Sequence, residues 1–384
     1  MIFDILRNVP DYRRKQGRRY KNLSDVLMVF LLAILSGATS YRKVHSFIDE
    51  NFEKIKELLG LNWKQAPAYT TLRDILLSLS ESDLEAVLRQ SQIDVKNRKK
   101  TVCGKFVHLC FDGKVLKKSF DNFKGNKAAQ ILTAFLPAES QIIAQVDIAD
   151  KESEIPKVRR LLSQLNVEGT IITTDALHCQ VETLKTAKDN GAETILQVKE
   201  NQPNLASDCR KMLEAQEADD IYEEKPEKSH GRIVSRKVKV YSDLKLTDTC
   251  KWLSLLVCAI AVIVVRSDYN TKTGKWDEKP ETRYYVSTTK LSAESFCNVI
   301  RDHWSIENKV HYVRDVAMGE DASRIREKPS LFARMKSLAQ NVLRRSGVKN
   351  ITDAIYRNAL NFNRLLNYSA LGLGKQHNKC QNHD

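Results

Sequence analysis

The sequence predicts a mixed α/β protein in which a small helical domain precedes a sheet-based domain with a β-rich insertion. Short helical patterns lie between residues 25 and 92, and strands and helices then follow in the order βββαβαβ. Because the strands and helices do not alternate strictly, we expect a mixed sheet rather than a doubly wound parallel one. The predicted domains are 1–95, 103–340 with the insertion at about 200–290, and a basic helical tail at 341–384.

The N-terminal domain is predicted from apolar spacing and from residues that begin and end helices. Ser24 is placed to cap an apolar helix that Gly37 closes. That helix covers 25–36, and the other predicted helices are 41–49, 51–59, 70–79 and 81–92. Short helices behind a basic lead-in are compatible with a helix-turn-helix-like unit, although no recognition helix stands out and a small helical domain is the safer description.

The sheet-based domain begins after a basic stretch, 97–100, that is predicted to be a linker. The core strands are predicted at 106–111, 130–136, 141–148, 169–174 and 193–198, with a helix from the cap residue Ser153 to 165 and another over 181–189. The insertion strands are predicted at 232–242, 255–267 and 282–287. Ser292 is placed to cap a further helix, and helices over 303–316 and 331–346 follow.

The segment 303–316 is predicted to be one amphipathic α-helix with an acid in its middle. At about 100° per residue, one side of the helix is apolar and an adjacent line carries acid, imidazole and guanidinium groups. The apolar side holds Ile306, Val310, Val313 and Ala317, and the polar line holds His303, Glu307, His311 and Arg314. The alternative is an ordinary surface helix with a solvated charged face.

Composition favours a cytoplasmic protein with a polyanionic partner. The 384-residue chain carries a formal net charge of +14, which suits nucleic acid or an acidic membrane surface. Its longest apolar runs, 26–35 and 255–265, are shorter than the roughly 18–20 residues that span a bilayer. Eight cysteines without a C-x-x-C pair indicate a reducing compartment. His377, Cys380 and His383 have metal-like spacing, but without a second ligand cluster we expect no zinc site there.

The N-terminal arm concentrates positive charge between two tyrosines. Arg13, Arg14, Arg18 and Arg19 lie between Tyr12 and Tyr20. Such an arm suits contacts to DNA phosphates, and the alternative is a solubilising charged segment.

Three acids far apart in the sequence are candidates for a metal site. Asp112 and Asp175 each end an apolar strand, and a helix packed over that sheet edge would add Glu307. Three close carboxylates repel one another unless cations neutralise them, and Mg²⁺ or Mn²⁺ is the natural occupant. Two such ions would activate and stabilise the attacking and leaving oxygens of a phosphodiester. The alternative is that the aspartates are ordinary turn residues.

Five ordered blocks of sequence carry a resemblance to a known family. They are FDGK (111–114), TTDALHCQ (173–180), VKENQP (198–203), HGRIVSR (230–236) and HWSIENKVHYVRDVAMGED (303–321). In this order they resemble the signature of insertion-sequence DDE transposases, in particular the H-repeat-associated branch. Residues 4–92 are similar to the associated N-terminal domain of that branch, so the resemblance covers nearly the whole chain.

The resemblance implies an RNase H-like core with Asp112 on its first strand, Asp175 after its fourth strand and Glu307 on a late helix. It also implies two Mg²⁺ or Mn²⁺ ions, strand cleavage at the ends of an element, and attack of the 3′-hydroxyl on target DNA. Double-stranded DNA is then the partner, and synapsis of two ends suggests a homodimer that acts at the nucleoid. Two alternatives remain: an inactive or repurposed transposase that only binds DNA, and a nuclease of the same fold without strand transfer.

Further residues receive roles around the three acids. DNA contacts are expected from Lys114, Lys199, Asn201, Gln202, Arg232, Arg236 and Arg314, and residues that orient the acids are expected at His178, Gln180, His303 and His311. The 199–202 stretch could equally organise the site or form a polar turn, and a capping role is the equal alternative for His178 and Gln180. Arg232 and Arg236 share one strand face, and the alternative is that they pair with acids such as Glu223 or Glu224.

Overall fold

The chain forms two compact units in a computed structural model that describes residues 1–17, 19–91, 101–148, 154–229, 232–247, 249–270 and 273–373. The first unit comprises Met1–Ile93, Gly113–Ser153 and Glu307–Asp384, and the second comprises Asp94–Asp112 and Glu154–Ile306. The predicted linker at 97–100, the cap Ser153, the arm residue Arg18, the turn at His230 and the tail residues His377, Cys380 and His383 lie outside the described residues.

The first unit begins with a short helix that the sequence does not predict, followed by the helices that it does predict. They are α1 (Ile2–Arg7), α2 (Leu23–Leu35), α3 (Tyr41–Glu50), α4 (Phe52–Leu59), α5 (Tyr69–Leu77) and α6 (Glu81–Gln90). Every residue of α2 except Ser24 and Asp25 is buried. The predicted cap Ser24 is therefore inside the helix, which begins after Asn22. Gly60 ends α4 in the left-handed conformation, with φ +61°.

The C-terminal helices belong to the same unit. They are α12 (Pro329–Arg345) and α13 (Ile351–Leu360), followed by short 3₁₀ turns at Phe362–Asn367 and Ser369–Leu371. Asn358 donates from its side-chain amide to the Leu35 carbonyl at 2.8 Å, and Phe362 stacks on Phe47. Residues of the predicted tail domain thus pack against the N-terminal helices.

The first unit also contains the predicted hairpin. Its strands, β2 (Gln130–Leu136) and β3 (Gln141–Ile148), pair antiparallel, with a register shift between Ala134 and Phe135. Helix α12 covers β3, where Asn341 bonds both the amide and the carbonyl of Ile142. This pairing fixes α12 on the hairpin because a side-chain amide satisfies one donor and one acceptor of the strand.

The second unit is built around strands in the order β1-β4-β5-β10-β9-β8-β6, with β7 beside β8. Strand β1 (Val107–Val115) crosses into the first unit after Asp112. The other strands are β4 (Thr170–Thr174), β5 (Glu193–Val198), β6 (Asp220–Glu223), β7 (Glu227–Ser229), β8 (Arg232–Tyr241), β9 (Cys258–Asn270) and β10 (Lys275–Ser287). Its helices are α7 (Glu154–Gln164), α8 (Val181–Asp189), α9 (Pro203–Ala215), α10 (Thr249–Trp252) and α11 (Ala293–His303).

The pairing directions give the mixed sheet that the sequence predicts. β4 is parallel to β1 and to β5, whereas β5 is antiparallel to β10 and the insertion strands continue antiparallel. The element order confirms the predicted mixed α/β fold with a β-rich insertion and an N-terminal helical region. No helix among the described residues is long and apolar enough to cross a membrane.

The structure differs from the predictions mainly inside the insertion. Helix α9 was not expected, although Leu205, Cys209 and Met212 follow one another at helical spacing and are buried. β9 begins at Cys258 rather than at 255, because the amides of Leu255 and Leu256 bond the Trp252 carbonyl in a turn. β10 begins before the predicted strand. Its first eight residues are exposed, so buried and exposed side chains do not alternate there as they do in a half-buried strand.

Candidate active site

Two of the predicted acids lie on or directly after neighbouring parallel strands of the second unit. Cys110 of β1 pairs with Thr173 of β4, and Asp112 and Asp175 each come two residues after that pair. The β1 strand continues past Asp112, whereas β4 ends one residue before Asp175. Because the two strands are parallel and paired in register, Asp112 and Asp175 lie at the same level along them.

The charge of Asp112 is one of the causes that shift the pKa of Asp175. Burial raises the pKa of Asp175, His178 lowers it, and the charges of Glu154 and Asp112 raise it further. A carboxyl that is disfavoured as an anion by neighbouring acids gains most from a bound cation. The Asp175 side chain keeps about half of its exposure, so a ligand can reach it.

His178 connects Asp175 to an acid that the sequence did not single out. Its Nε2 lies 3.1 Å from Glu154 Oε1 and 3.8 Å from Asp175 Oδ1. The ring is 1 % exposed. Since a carboxylate only accepts, Nε2–H donates to Glu154. The prediction that His178 lies beside Asp175 is consistent with this placement, while Glu154 at the start of α7 gave no sequence signal.

Asn201 and Gln202 hold the turn that follows Asp175. Asn201 donates from Nδ2 to the Ala176 carbonyl at 2.7 Å. Gln202 donates from Nε2 to the Cys179 carbonyl at 2.9 Å and to Gln180 Oε1 at 3.3 Å. These amides therefore organise the backbone next to Asp175, which was the alternative to a DNA contact. Lys199, at the end of β5, is exposed.

Thr173 joins two buried histidines directly behind Asp175. Its hydroxyl lies 2.9 Å from His108 Nε2 and 2.9 Å from His303 Nδ1. Burial lowers the pKa of His108 to about 3 and that of His303 to about 4. Both rings are therefore neutral near pH 7, and the network ties the end of α11 to β4 through uncharged hydrogen bonds.

Glu307 lies in the first unit on a segment with an unexpected pitch. α11 ends at His303, and the chain then forms π-helical stretches over Glu307–His311 and Val313–Ala317. The single α-helix predicted for 303–316 is therefore wrong in its pitch. A π-helix turns by fewer degrees per residue, so Val313 and Ala317 are half-buried while His311 is buried.

Glu307 and His311 are still brought together by that segment. Glu307 is exposed, His311 is buried, and a carboxylate oxygen and a ring nitrogen of the pair lie within 4.8 Å of each other. An oxygen and a nitrogen donor at this separation are compatible with a shared divalent cation.

Arg314 and Lys114 are enclosed by acids of the same unit. The Arg314 guanidinium has no exposed surface and lies 2.8 Å from Glu320. Lys114 bonds Asp315 at 2.7 Å. Nearby, burial lowers the pKa of Lys336 to about 8 against the opposing effect of Glu320. Arg314 was expected to bind a phosphate, but its guanidinium is buried. Its partner is Glu320, in the GED sequence at 319–321.

The insertion arginines are also paired. Arg232 Nε lies 2.8 Å from Asp268, across the β8–β9 ladder, and Arg236 lies 2.5 Å from Glu224. Glu224 also accepts from Arg301 at 2.7 Å. These contacts match the alternative in which the two arginines pair with acids, rather than two guanidiniums free to bind DNA.

The described part of the arm remains basic. Arg13 forms a bidentate pair with Asp11, with both contacts at 2.8 Å. Arg14 and Arg19 line a cavity of about 370 Å³ together with Arg13 and Tyr20.

Comparison with known proteins places the chain in one family. The model of the Transposase DDE domain matches residues 104–340, and the DDE_Tnp_1-associated model matches residues 3–90. The chain is 29 % identical over 346 residues to "Putative protein YbfL" of Escherichia coli K12, covering 87 % of this chain and 88 % of the relative. The same identity and coverage hold for "H repeat-associated putative transposase YhhI" of the same strain. "Putative transposase YncI" of Escherichia coli O157:H7 is 28 % identical over 354 residues, covering 89 % of this chain and 87 % of the relative.

Proposed function

Because the chain belongs to the family of the Transposase DDE domain, we propose that it is a DNA transposase that cleaves strands at the ends of an element and transfers their 3′-hydroxyls to target DNA. The observation that carries the proposal is the position of Asp112 and Asp175, two residues beyond paired residues of neighbouring parallel strands. The pKa of Asp175, raised by burial and further by the charges of Glu154 and Asp112, supports it, since a bound cation would offset that like charge.

The carboxylates of Asp112, Asp175 and Glu307 would hold two Mg²⁺ or Mn²⁺ ions. Oxygen donors suit these cations, and His311 beside Glu307 offers a nitrogen that Mn²⁺ also accepts. When bound, two ions supply an activated water or 3′-hydroxyl and stabilise the departing oxygen of the phosphodiester.

The remaining residues of this region position the acids. His178 and Glu154 hold the turn after Asp175 from one side, and Asn201 and Gln202 hold its backbone from the other. Neutral His303 anchors the helix that leads to Glu307. A site fixed in this way loses little to reorganisation when charge develops on the reacting phosphate.

The partner we propose is double-stranded DNA, both at the element ends and at the target. The charge of +14 supports this partner, as do the basic arm residues Arg14 and Arg19 and exposed Lys199. Since two ends must be joined in one reaction, we propose that two copies of the chain act together.

The experiment is strand cleavage of end-containing DNA with Mg²⁺ by Asp112→Asn, Asp175→Asn and Glu307→Gln. Each variant is expected to lose cleavage almost completely while DNA binding is retained, because ligands that act as a unit are not additive. Asp189→Asn, an exposed acid at the end of α8, is the matched control. Near-normal cleavage by any of the three variants would remove that residue from the site. Cleavage without a joined product would identify a nuclease, and DNA binding without cleavage by the parent protein would identify a binding protein only.

A further inference from the structure

A basic groove in the first unit has no role in the chemistry described above. The groove encloses about 850 Å³ between the N-terminal helices and the 319–327 segment. Five cations line it: Arg42, Lys43, Arg73, Arg324 and Arg326. Its acids are Asp121 and Glu327, so positive charge exceeds negative charge by three.

Most of these cations are not neutralised within the described residues. Arg73 pairs with Glu327 and with Asp74, the latter at 3.7 Å. Within the described part of the chain, no ion pair is formed by Arg42, Lys43, Arg324 or Arg326, and all four are exposed. They differ in this respect from Arg314 and Lys114, whose charges are satisfied internally. Four solvated cations along one groove suit a chain of phosphates.

A structured turn next to the groove presents an aromatic ring to solvent. Asp121, which lines the groove, exchanges two backbone hydrogen bonds with Asn126, both at 2.9 Å. Its carboxylate accepts from the Phe123 amide at 3.1 Å, and Gly125 closes the turn with φ +67°. Phe123 at the tip of this turn is 97 % exposed.

The exposed Phe123 ring contributes almost no burial to the fold. Exposed aromatic rings lose the favourable burial that makes them useful in a core. Here the turn keeps the ring outside, while Lys118 and Lys127 on either side add positive charge. An exposed aromatic ring between cations is suited to binding unpaired nucleotides. Every base has a face that can stack on the ring, and the cations attract the phosphates.

We propose that the groove binds a DNA backbone through Arg42, Lys43, Arg324 and Arg326, and that Phe123 stacks on a base that is unpaired or displaced from the duplex there. This assignment rests on the proposed transposase function and adds a second DNA-contacting surface to it. Breaking and joining DNA ends exposes unpaired bases, and a stacking platform beside a phosphate-binding groove stabilises them.

The test compares two variants with two labelled DNA probes. The probes are a short blunt duplex and the same duplex with a single-stranded overhang, each carrying 2-aminopurine at the terminal base. The full-length variants are Phe123→Ala and the double change Arg42→Ala with Arg326→Ala. Tyr356→Ala, an exposed aromatic on α13, and Lys54→Ala with Lys64→Ala are the matched controls.

Phe123→Ala is expected to weaken binding of the overhang probe roughly tenfold, as the loss of one base–aromatic stack does, and to leave blunt-duplex binding nearly unchanged. It should also abolish the change in 2-aminopurine fluorescence on binding. The double change should weaken both probes and make log K against log salt shallower by about 0.9 for each phosphate that the protein no longer neutralises.

Equal effects of Phe123→Ala and Tyr356→Ala on the overhang probe would overturn the stacking role. A double change that behaves like the Lys54 and Lys64 control would overturn the groove assignment. Either failure is distinguishable from failure of the transposase proposal, because Mg²⁺-dependent cleavage that is lost in Asp112→Asn tests that proposal independently of this groove.

Discussion

The turn after Asp175 and the segment after Glu307 are held in place by different kinds of contacts. Around Asp175, side-chain amides of Asn201 and Gln202 and the neutral rings behind Thr173 supply uncharged hydrogen bonds. Around the segment after Glu307, the charged groups Arg314 and Glu320 pair in the interior. Removing one partner of a buried ion pair costs much folding stability because the other charge is left buried and unpaired. Removing one uncharged hydrogen bond costs less.

The largest expected effect is therefore on the charged side of the comparison. Arg314→Ala should lower the free energy of unfolding by about 3–5 kcal/mol, because Glu320 would be left buried and unpaired. Arg357→Ala, which breaks the exposed pair with Asp353, should cost less than about 1 kcal/mol. Chemical denaturation of the two variants measures the difference. Equal losses would show that the Arg314 pair does not support this segment.

An intermediate effect is expected from the uncharged network. Thr173→Val keeps the shape of the side chain but removes the hydroxyl that lies between His108 and His303. We expect a loss of about 1–3 kcal/mol in unfolding free energy, since two buried ring nitrogens lose a partner. Thr186→Val in α8, whose hydroxyl bonds the Glu182 carbonyl at an exposed position, is the control. A loss no larger than that of the control would exclude a stabilising role for the network.

Acid should weaken the uncharged network selectively. The folded protein lowers the pKa of His303 to about 4 and that of His108 to about 3, whereas an unfolded histidine titrates near 6.5. The unfolded chain thus binds more protons below about pH 6.5, and the stability contributed by the neutral rings is lost as the pH falls from there toward 4. His303→Gln should flatten the dependence of the unfolding free energy on pH across this window, because the variant lacks that titrating ring. An unchanged slope in His303→Gln would refute the assignment.

The sequence predicted what depends on local pattern and missed what depends on distant partners. The apolar strands before Asp112 and Asp175, the hairpin and the N-terminal helices were visible as runs and periods. The pairing of Lys114 with Asp315 joins residues 201 positions apart, so no local signal marks it. The π-helical pitch after Ile306 was equally hidden, because it follows from which side chains tertiary packing buries.

Helix α9 was a different kind of miss. Its apolar spacing is in the sequence, but the strand-like stretches that follow it dominate the pattern of the insertion. The hydrogen bonds of Asn201 and Gln202 to the turn after Asp175 could be suspected from the VKENQP block, but their acceptors are backbone carbonyls that the sequence does not point to.

The smallest expected effect concerns the arm. Changing Arg13, Arg14, Arg18 and Arg19 to Ala together should make the slope of log K for DNA against log salt shallower by about 0.9 for each phosphate that the arm no longer neutralises. Because Arg13 is already paired with Asp11, the salt slope should change by less than four lost phosphate contacts would give. Thermal unfolding should be nearly unaffected. An unchanged salt slope would identify the arm as a solubilising segment.

The central claim is that Asp175 coordinates a catalytic metal ion, and metal-specific rescue tests it most directly. Asp175→Cys replaces a hard oxygen ligand by a softer thiolate, which Mn²⁺ tolerates better than Mg²⁺. The account predicts that this variant loses cleavage of end-containing DNA with Mg²⁺ and regains much of it with Mn²⁺, while Asp189→Cys cleaves normally with both. A folded Asp175→Cys variant that is fully active with Mg²⁺, or equally inactive with both ions, would contradict it.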